Sequence, residues 1–274
     1  MCDAAAMVAP KTVAVTGASG YVGELCVSIL RRHGYRVLAL GRRSSDAAPF
    51  TLGSAYPDTR WFTDNKVEVL VHAAWDFSRR DTAFVDRRNV LGAIRLIATA
   101  TSAGARVINL SSMSAWDGSP SIYGRAKRAL ELRVAERHGV NLRLGLVWAA
   151  DAGGMAGALR KLARLPVVLA PTTPAAIYLL EPSTLGKGLL AAMGAPPGLY
   201  TVCDPTPVTL PSLLRSLAPG KLIIPVSWRL PWLALRALEY AGLNLRSHSD
   251  SLLSLSRANP NPSPACPDAA QTAA

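Results

Sequence analysis

The chain has 274 residues, 50% of them hydrophobic, and a formal net charge of +12. This length and composition allow one full core with a smaller appended region, and they exclude a fibrous or largely disordered protein. The basic residues occur as dispersed pairs rather than as a long run with interleaved aromatic residues. We therefore expect no nucleic-acid partner.

The sequence contains no signal for a membrane span, a secreted form or a metal site. No apolar stretch reaches about eighteen residues, and residues 1–10 lack a basic segment followed by an apolar one. The cysteines and histidines form no cluster at ligand spacing. We therefore expect a cytoplasmic location, no integral membrane segment and no bound metal.

Apolar strand-like runs alternate with helical ones through the first half of the chain, which predicts an α/β fold with a doubly wound parallel sheet. The predicted strands are residues 12–16, 36–40, 66–73, 106–110 and 140–148. The predicted helices are residues 22–32, 84–103 and 123–137. We also expect a short strand near Trp61 and a return to the main sheet at 177–180.

Beyond Ala149 prolines, short helices and short strands are mixed, as in a region that closes over a ligand. We predict a dinucleotide-binding Rossmann domain over 1–150 that also takes in about 175–195, a substrate-binding region over 151–257 and a disordered tail over 258–274. Prolines and arginines break the apolar stretch 222–243. For this stretch we favour a core helix over a lid or a surface that contacts lipid.

A glycine-rich segment, residues 16–23, follows the first predicted strand directly and opens the first helix. Gly17 allows the tight turn, Gly20 lets the backbone approach a pyrophosphate, and Gly23 lets the helix pack closely on the strand. The helix N-terminus offers free N–H groups and partial positive charge to the phosphates. The predicted cofactor-binding residues of this segment are Gly17, Ser19, Gly20, Tyr21, Val22 and Gly23.

The end of the second predicted strand bears on the choice of dinucleotide. An NAD site places an acid there for the ribose 2′-hydroxyl, whereas an arginine accommodates a 2′-phosphate. This strand continues into Gly41, Arg42 and Arg43 without an acid. We therefore favour NADP over NAD, with Arg42 as a phosphate ligand and Arg43 as a second one. The alternative is that both arginines are solvated.

Tyr123 and Lys127 open a predicted helix four residues apart and so share one face. An isolated tyrosine has a pKa of about 10, and a neighbouring ammonium is expected to lower it toward the range useful for proton transfer. Position favours this interpretation over an exposed pair, because the helix follows a strand that ends in the serine-rich segment 111–114. A serine at the carboxyl end of a strand faces the ligand crevice of an open α/β fold.

Together these residues resemble the extended short-chain dehydrogenase/reductase superfamily and, within it, the NAD(P)-dependent epimerase/dehydratase family. The matching segments run in the family's order over about residues 11–150: 16–23, 71–74, 89–92, 111–116, 123–127 and 142–147. The resemblance implies a catalytic triad of Ser112, Tyr123 and Lys127. Tyr123 and Lys127 would also contact the cofactor, with Lys127 hydrogen-bonded to the nicotinamide ribose.

The same resemblance implies roles for residues around the triad. Asn89 would support it from the preceding helix, and Ala73 and Ala74 would lie beside the cofactor, where small side chains leave room. The resemblance also suggests a homodimer formed through the helices near 84–103 and 123–137.

Two departures from the family bear on the substrate. Met113 and Ser114 follow Ser112 where sugar dehydratases carry an acidic pair, so we do not expect elimination of water. Leu146 stands where many nucleotide-sugar enzymes have asparagine. A contact to the substrate phosphates is therefore missing or supplied differently.

Three functions follow from these observations. The first is an NAD(P)-dependent oxidoreductase or epimerase of a nucleotide-activated sugar, acting by 4-keto reduction or C4 epimerisation. The second is an NADPH-dependent reductase of a hydrophobic ketone, with which Leu146 and the apolar C-terminal stretch are compatible. The third is a regulator that binds nicotinamide without turnover, which the intact Tyr123 and Lys127 disfavour.

Some polar residues outside these motifs also call for an interpretation. His72 lies in a strand that is predicted to be buried, and we expect it to be structural. Arg246 and Asp250 could reach a diphosphate or cap a helix, and both alternatives stay open.

Overall fold

The structure is a computed structural model that describes residues 11–41, 50–79, 81–173, 175–243 and 248–257. The strands in these ranges are β1 (Thr12–Thr16), β2 (Arg36–Leu40), β3 (Val67–His72), β4 (Arg106–Ser112), β5 (Val140–Leu144), β6 (Leu146–Val147), β7 (Val167–Thr172), β8 (Leu179–Leu180), β9 (Gly198–Val202) and β10 (Leu222–Ser227). The α-helices are α1 (Tyr21–Arg32), α2 (Thr59–Asp64), α3 (Thr82–Phe84), α4 (Gly92–Ser102), α5 (Ile122–Ala135), α6 (Gly154–Ala163), α7 (Pro182–Gly194), α8 (Leu210–Leu217), α9 (Arg229–Tyr240) and α10 (Ser249–Ser256). A π-helical segment, Val85–Leu91, joins α3 to α4.

Six strands form a central parallel sheet in the order β2-β1-β3-β4-β5-β9. Helices α1 and α7 pack on one face of this sheet, and α2, α4 and α5 pack on the other. All five residues of β1 are buried, as is typical of a strand that is covered on both faces. The predicted fold class is therefore confirmed: the protein has an α/β fold with a doubly wound parallel sheet of the Rossmann type.

Two predictions about strands are wrong: the short strand near Trp61, and the return of 177–180 to the main sheet. Trp61 lies in α2, because Asp58 caps this helix and its carboxylate accepts a 2.8 Å hydrogen bond from the N–H of Trp61. Residues 177–180 do not rejoin the main sheet, since β8 pairs with β6 in a separate two-stranded sheet. The sixth strand of the main sheet is β9, which pairs with β5.

The predicted strand 140–148 is interrupted at Gly145. β5 ends just before this residue, and β6 begins just after it. A Cβ atom at position 145 would lie 2.7 Å from the carbonyl oxygen of Tyr178, so the two backbones approach as closely as only glycine allows. At this crossing the chain leaves the main sheet and enters the C-terminal region.

The C-terminal region has a smaller core of its own. Helices α6 and α8 and strand β7 contribute its buried side chains: Leu159, Val168, Ala170, Leu210, Leu213 and Leu214. β10 pairs with β7 in a two-stranded parallel sheet, and α9 and α10 follow. Because α9 has no buried residue, the predicted core helix within 222–243 is wrong.

Helix α7 and strand β9 return to the Rossmann part, where they pack on the main sheet. The predicted domain limits at 150 and 257 stay predictions, and residues 258–274 lie outside the described ranges. Within those ranges, no helix has both the length and the apolar character needed to cross a membrane.

Candidate active site

The glycine-rich turn between β1 and α1 has room for the backbone alone. Gly17 has a φ of +68°, and a Cβ atom there would lie 2.8 Å from the Cα of Ala74. A Cβ atom at Gly23 would overlap with the carbonyl oxygen of Gly17. No side chain caps the first turn of α1, so its N–H groups are available to a phosphate. The turn therefore fits the pyrophosphate of a dinucleotide.

A cavity of about 1310 Å³ opens beside this turn. It exceeds the roughly 300–1,000 Å³ of a typical ligand pocket, so it has room for a dinucleotide and a second molecule. Most of the predicted site residues line it: Gly17, Ser19, Gly20, Tyr21, Val22, Gly23, Ala73, Ala74, Ser112 and Tyr123. Lys127 and Asn89 are buried and contact residues of the cavity wall.

The predicted ligands of the 2′-phosphate, Arg42 and Arg43, lie outside the described residues. Gly41, which precedes them, lines the cavity next to Ser19. The preference for NADP over NAD therefore stays a prediction.

The end of β4 places two neighbouring serines on opposite sides of the strand. Ser112 lines the cavity and forms a hydrogen bond with Tyr123. The hydroxyl of Ser111 donates to Glu131 at 2.6 Å, in the protein interior. Because side chains alternate along a strand, Ser112 and not Ser111 is the serine that can contact a ligand beside Tyr123.

Aromatic side chains surround Tyr123. The centroid of its ring lies 5.1 Å from that of Trp75 and 6.0 Å from that of Phe77. Burial raises the pKa of Tyr123 to about 12, although the hydrogen bond with Ser112 lowers it in part. The phenol is therefore protonated at neutral pH and is able to donate a proton.

Lys127 is buried one helical turn after Tyr123. Its ammonium donates to the carbonyl oxygen of Leu110 at 2.8 Å and lies 4.4 Å from the centroid of the Trp75 ring. Burial lowers the pKa of Lys127 to about 7, and the carboxylate of Glu131 opposes this shift. The expectation that Lys127 lowers the pKa of Tyr123 stays a prediction. The ammonium is directed at Leu110 and Trp75, and burial dominates the pKa of Tyr123.

A buried ion pair joins Glu131 of α5 to Arg143 of β5 and was not predicted from the sequence. Glu131, which is 1% exposed, accepts hydrogen bonds from Nε and one terminal nitrogen of Arg143 at 2.8 and 2.7 Å. The pair ties α5 to β5, and Ser111 ties it to β4. A signal was present, since an arginine within a wholly buried strand requires a buried acid as its partner.

Asn89 lies in the π-helical segment and is fully buried. Its amide donates to the carbonyl oxygen of Asp76 at 3.0 Å and accepts from the N–H of Asp76 at 2.7 Å. The carboxylate of Asp76 forms an ion pair with Arg88 at 3.1 Å. Asn89 therefore positions the segment that carries Trp75 and Phe77 against Tyr123.

Ser121 is the N-cap of α5, and a residue distant in sequence accepts two further N–H groups of its first turn. Asp250 of α10 accepts hydrogen bonds from the N–H groups of Ile122 and Tyr123, at 2.7 and 3.1 Å. Asp250 was expected either to reach a diphosphate or to cap a helix, and the structure shows it at a helix N-terminus. Arg246 lies outside the described residues. This contact joins the C-terminal region to the helix that carries Tyr123.

His72 is fully buried, and its Nδ1 forms a 2.9 Å hydrogen bond with Thr16. The same threonine oxygen accepts from the N–H groups of Ala73 and Ala74 at 3.2 Å, which fixes the strand end beside the glycine turn. Burial, with a smaller effect of the charge on Lys127, lowers the pKa of His72 to about 3. A neutral, hydrogen-bonded histidine agrees with the predicted structural role.

An open parallel sheet with a glycine-rich turn after β1 is the arrangement of a Rossmann-type dinucleotide-binding fold, and here a Tyr-x-x-x-Lys pair follows β4. Residues 13–139 match the NAD dependent epimerase/dehydratase family. Over this part, a little under half of the chain, the sequence is similar to that family.

One curated relative is the ceramide reductase of Caulobacter vibrioides. It is 31% identical over 182 residues, a match that covers 62% of this chain and 57% of the relative. The chain thus spans little more than half the length of this relative.

Solved structures of two sugar-nucleotide enzymes share the fold. The ADP-L-glycero-D-manno-heptose-6-epimerase of Helicobacter pylori superposes with a TM-score of 0.65 at 18% identity, over 80% of this chain and 85% of the epimerase. The dTDP-4-dehydrorhamnose reductase of Bacillus anthracis, solved in complex with NADP, gives a TM-score of 0.65 at 16% identity, over 90% and 98%. Identities this low show similarity of fold alone.

Proposed function

We propose that the protein is an NAD(P)-dependent oxidoreductase that reduces a ketone on an apolar, lipid-like substrate. The observation that carries this proposal is the C-terminal wall of the cavity, formed by α6, β7, α9 and α10. Its side chains are mainly aliphatic: Met155, Leu159, Leu162, Leu169, Leu235, Leu238, Leu252 and Leu255. Among the described residues, this wall contains no lysine, arginine, aspartate or glutamate.

A nucleotide-activated sugar, the first prediction from the sequence, has less support from this wall. A buried diphosphate needs cations or aligned N–H donors around it. The charged residues that line the described part of the cavity are Asp76 and Arg88, and they pair with each other. The name of the relative, ceramide reductase, refers to a lipid substrate. A lipid-like substrate also suits the apolar wall of the cavity.

The residues around Tyr123 suit the reductive direction. A bound nicotinamide dinucleotide would supply the hydride to the carbonyl carbon. The protonated phenol of Tyr123 gives its proton to the carbonyl oxygen, which Ser112 orients. Lys127, whose ammonium lies 5.9 Å from the centroid of the Tyr123 ring, places positive charge near the phenolate that remains.

Three further features belong to the same proposal. NADP is the preferred dinucleotide, since Arg42 and Arg43 follow β2 without an acid. A homodimer forms through α4 and α5, where Leu132 is 48% exposed. The protein acts in the cytoplasm.

The test follows nicotinamide absorbance with NADPH or NADH and two substrates, a long-chain ketone in detergent micelles and a 4-keto-6-deoxy nucleotide sugar. We expect steady oxidation of NADPH with the long-chain ketone, at a rate at least about tenfold above that with the sugar. Turnover of the sugar alone would overturn the apolar assignment.

A pair of variants in α9 locates the substrate. Leu235→Arg puts a cation on the cavity wall and should raise the KM for the long-chain ketone about tenfold without changing NADPH binding. Ala237→Arg, at an exposed position of the same helix, is the matched control and should leave KM unchanged. Equal effects of the two variants would show that the substrate does not occupy this wall.

A further inference from the structure

The exposed apolar side chains are concentrated in one part of the molecule. Of the thirteen large hydrophobic residues that stand out as exposed among the described residues, ten lie between 165 and 243. They are Leu165, Val167, Leu169, Leu222, Ile224, Leu230, Leu233, Leu238, Tyr240 and Leu243. Single exposed leucines are ordinary on a soluble protein, but a cluster of this size marks a surface that binds something.

The outer face of the β7–β10 sheet forms one half of this cluster. In the parallel register, Leu222 pairs with Val167, and Ile224 pairs with Leu169. These four side chains are 63%, 41%, 39% and 50% exposed, respectively. Because paired residues of neighbouring strands point to the same side, the four form one continuous aliphatic face.

Helix α9 forms the other half. Leu230 and Leu233 are 62% and 55% exposed, whereas Ala234 and Leu235 line the cavity. The helix therefore has an apolar side toward the cavity and a second apolar side toward solvent. At its start the rings of Trp228 and Trp232 lie 6.3 Å apart, and tryptophan is the residue type enriched where a protein meets the headgroup layer of a membrane.

The charge of the same region is one-sided. The segments 152–180 and 205–238, which contain α6, β7, α8, β10 and most of α9, contain no aspartate or glutamate. They contain seven cations: Arg160, Lys161, Arg164, Arg215, Lys221, Arg229 and Arg236. The acid of α9, Glu239, accepts hydrogen bonds from Ser249 of α10. An apolar surface in a region where cations outnumber acids complements an anionic surface with an apolar interior.

We propose that this surface, called here the β7–α9 face and defined by Val167, Leu169, Leu222, Ile224, Leu230 and Leu233, docks on an anionic phospholipid bilayer. The aliphatic side chains enter the boundary between headgroups and acyl chains, and the surrounding cations contact the lipid phosphates. The protein then lies on the membrane surface without spanning it.

The position of the cavity explains what docking achieves. Leu169 and Leu238 are 50% and 40% exposed and also line the cavity. The docking face and the cavity wall therefore share side chains, and an apolar substrate passes from the bilayer to Tyr123 without crossing water. Docking itself is independent of the catalytic role, whereas this delivery rests on the proposed function.

The experiment is co-sedimentation of the full chain with vesicles of phosphatidylcholine alone, or of phosphatidylcholine and phosphatidylglycerol, at low and high salt. We expect binding to the anionic vesicles that weakens as salt rises. Leu230→Gln/Leu233→Gln should reduce the partition coefficient about tenfold. Arg229→Gln/Arg236→Gln should reduce it at low salt to a similar extent and weaken its salt dependence.

The matched control for the cation pair is Arg31→Gln/Arg32→Gln, which removes two exposed cations of α1 from the Rossmann part and should leave vesicle binding unchanged. The proposal is overturned if the native protein does not bind anionic vesicles at low salt, or if the control pair weakens binding as much as the Arg229/Arg236 pair. It is also overturned if Leu230→Gln/Leu233→Gln dissociates an oligomer while vesicle binding is absent, because the face is then a contact between copies of the chain. Vesicle binding without ketone reduction would leave docking in place and refute only the proposed function.

Discussion

The strands β1 and β10 have similarly apolar sequences, Thr-Val-Ala-Val-Thr and Leu-Ile-Ile-Pro-Val-Ser, but the structure surrounds them very differently. β1 has a neighbouring strand on each side and helices over both faces, and all five of its residues are buried. β10 has the single neighbour β7, and none of its six residues is buried. The number of elements around a segment therefore decides whether its apolar side chains form a core or a surface.

The same contrast separates the two regions that the strands belong to. In the Rossmann part, most apolar side chains are buried in the core. The polar residues near the site have buried hydrogen-bond partners such as Glu131. In the C-terminal region, apolar side chains face both the cavity and the exterior. We expect mutations to change chemistry and stability in the first region, and ligand and surface binding in the second.

The strongest test of this division is Tyr123→Phe. Removing the hydroxyl removes the proton donor, so kcat should fall by about 10³-fold, within the range expected for loss of a general acid. Cofactor affinity, measured by fluorescence titration with NADPH, should stay nearly intact because the glycine turn is unchanged. Retained turnover would show that another group donates the proton.

Among these variants, breaking the buried Glu131–Arg143 ion pair should lower the free energy of unfolding most. Glu131→Gln leaves the buried charge of Arg143 without its carboxylate and should cost about 3 kcal/mol in the free energy of unfolding. Glu136→Gln on the same helix breaks a pair with Arg133 that is more than half exposed, and we expect less than about 1 kcal/mol. Urea denaturation of the two variants measures both values, and equal losses would contradict the structural role of the buried pair.

One truncation to alanine in each of the two strands tests the comparison itself. Val15→Ala, at a fully buried position of β1, should cost about 2 kcal/mol in the free energy of unfolding. Ile224→Ala, at a 39% exposed position of β10, should change it by less than about 0.5 kcal/mol. If Ile224→Ala proves as costly as Val15→Ala, the outer face of β10 is covered in solution.

The pH dependence of kcat/KM should report Lys127 in the free protein. Burial lowers the pKa of this ammonium to about 7, so its positive charge is complete below that pH and is lost as pH rises through it. Tyr123, with a pKa of about 12, stays protonated over the same range. We therefore expect kcat/KM to decrease about tenfold per pH unit above the pKa of Lys127. A profile that stays flat from about pH 6 to about pH 9 would show that the charge on Lys127 does not contribute to kcat/KM.

The smallest expected effect concerns the contact between the two regions. Asp250→Ala removes the acceptor of two N–H groups in the first turn of α5, where Ser121 remains the N-cap, and should cost about 1 kcal/mol in the free energy of unfolding. Because one of these N–H groups belongs to Tyr123, kcat should also fall severalfold. Glu68→Gln, at an exposed position of β3, serves as the control and should change neither quantity. An unchanged kcat for Asp250→Ala would show that the C-terminal region does not position Tyr123.

The parts of the molecule that the sequence predicted correctly are those that local pattern determines. The continuous apolar run of β1 and the spacing of Gly17, Gly20 and Gly23 placed the first strand, the turn and the helix, because each feature depends on residues a few positions apart. The spacing of Tyr123 and Lys127 placed both residues on α5 for the same reason.

The features that were missed depend on contacts between distant residues. Asp250 lies more than a hundred positions from the helix to which it is hydrogen-bonded, and β9 joins the sheet after the whole of α6 to α7 has intervened. The aromatic neighbours of Tyr123, Trp75 and Phe77, lie in the segment that follows β3, and only folding brings them near α5. The exposure of α9 could not be predicted, because its sequence pattern does not reveal whether another element covers its second apolar side.

Among the described elements, helix α9 packs mainly on β10 and α10. It has no buried side chain. Local unfolding of such a segment costs far less free energy than unfolding of the core. We expect the amide protons of α9 to exchange with solvent before those of the central sheet, and limited proteolysis to cut there first. Under the proposed function, a substrate with a long acyl chain enters by fraying of this single helix, while the central sheet stays folded.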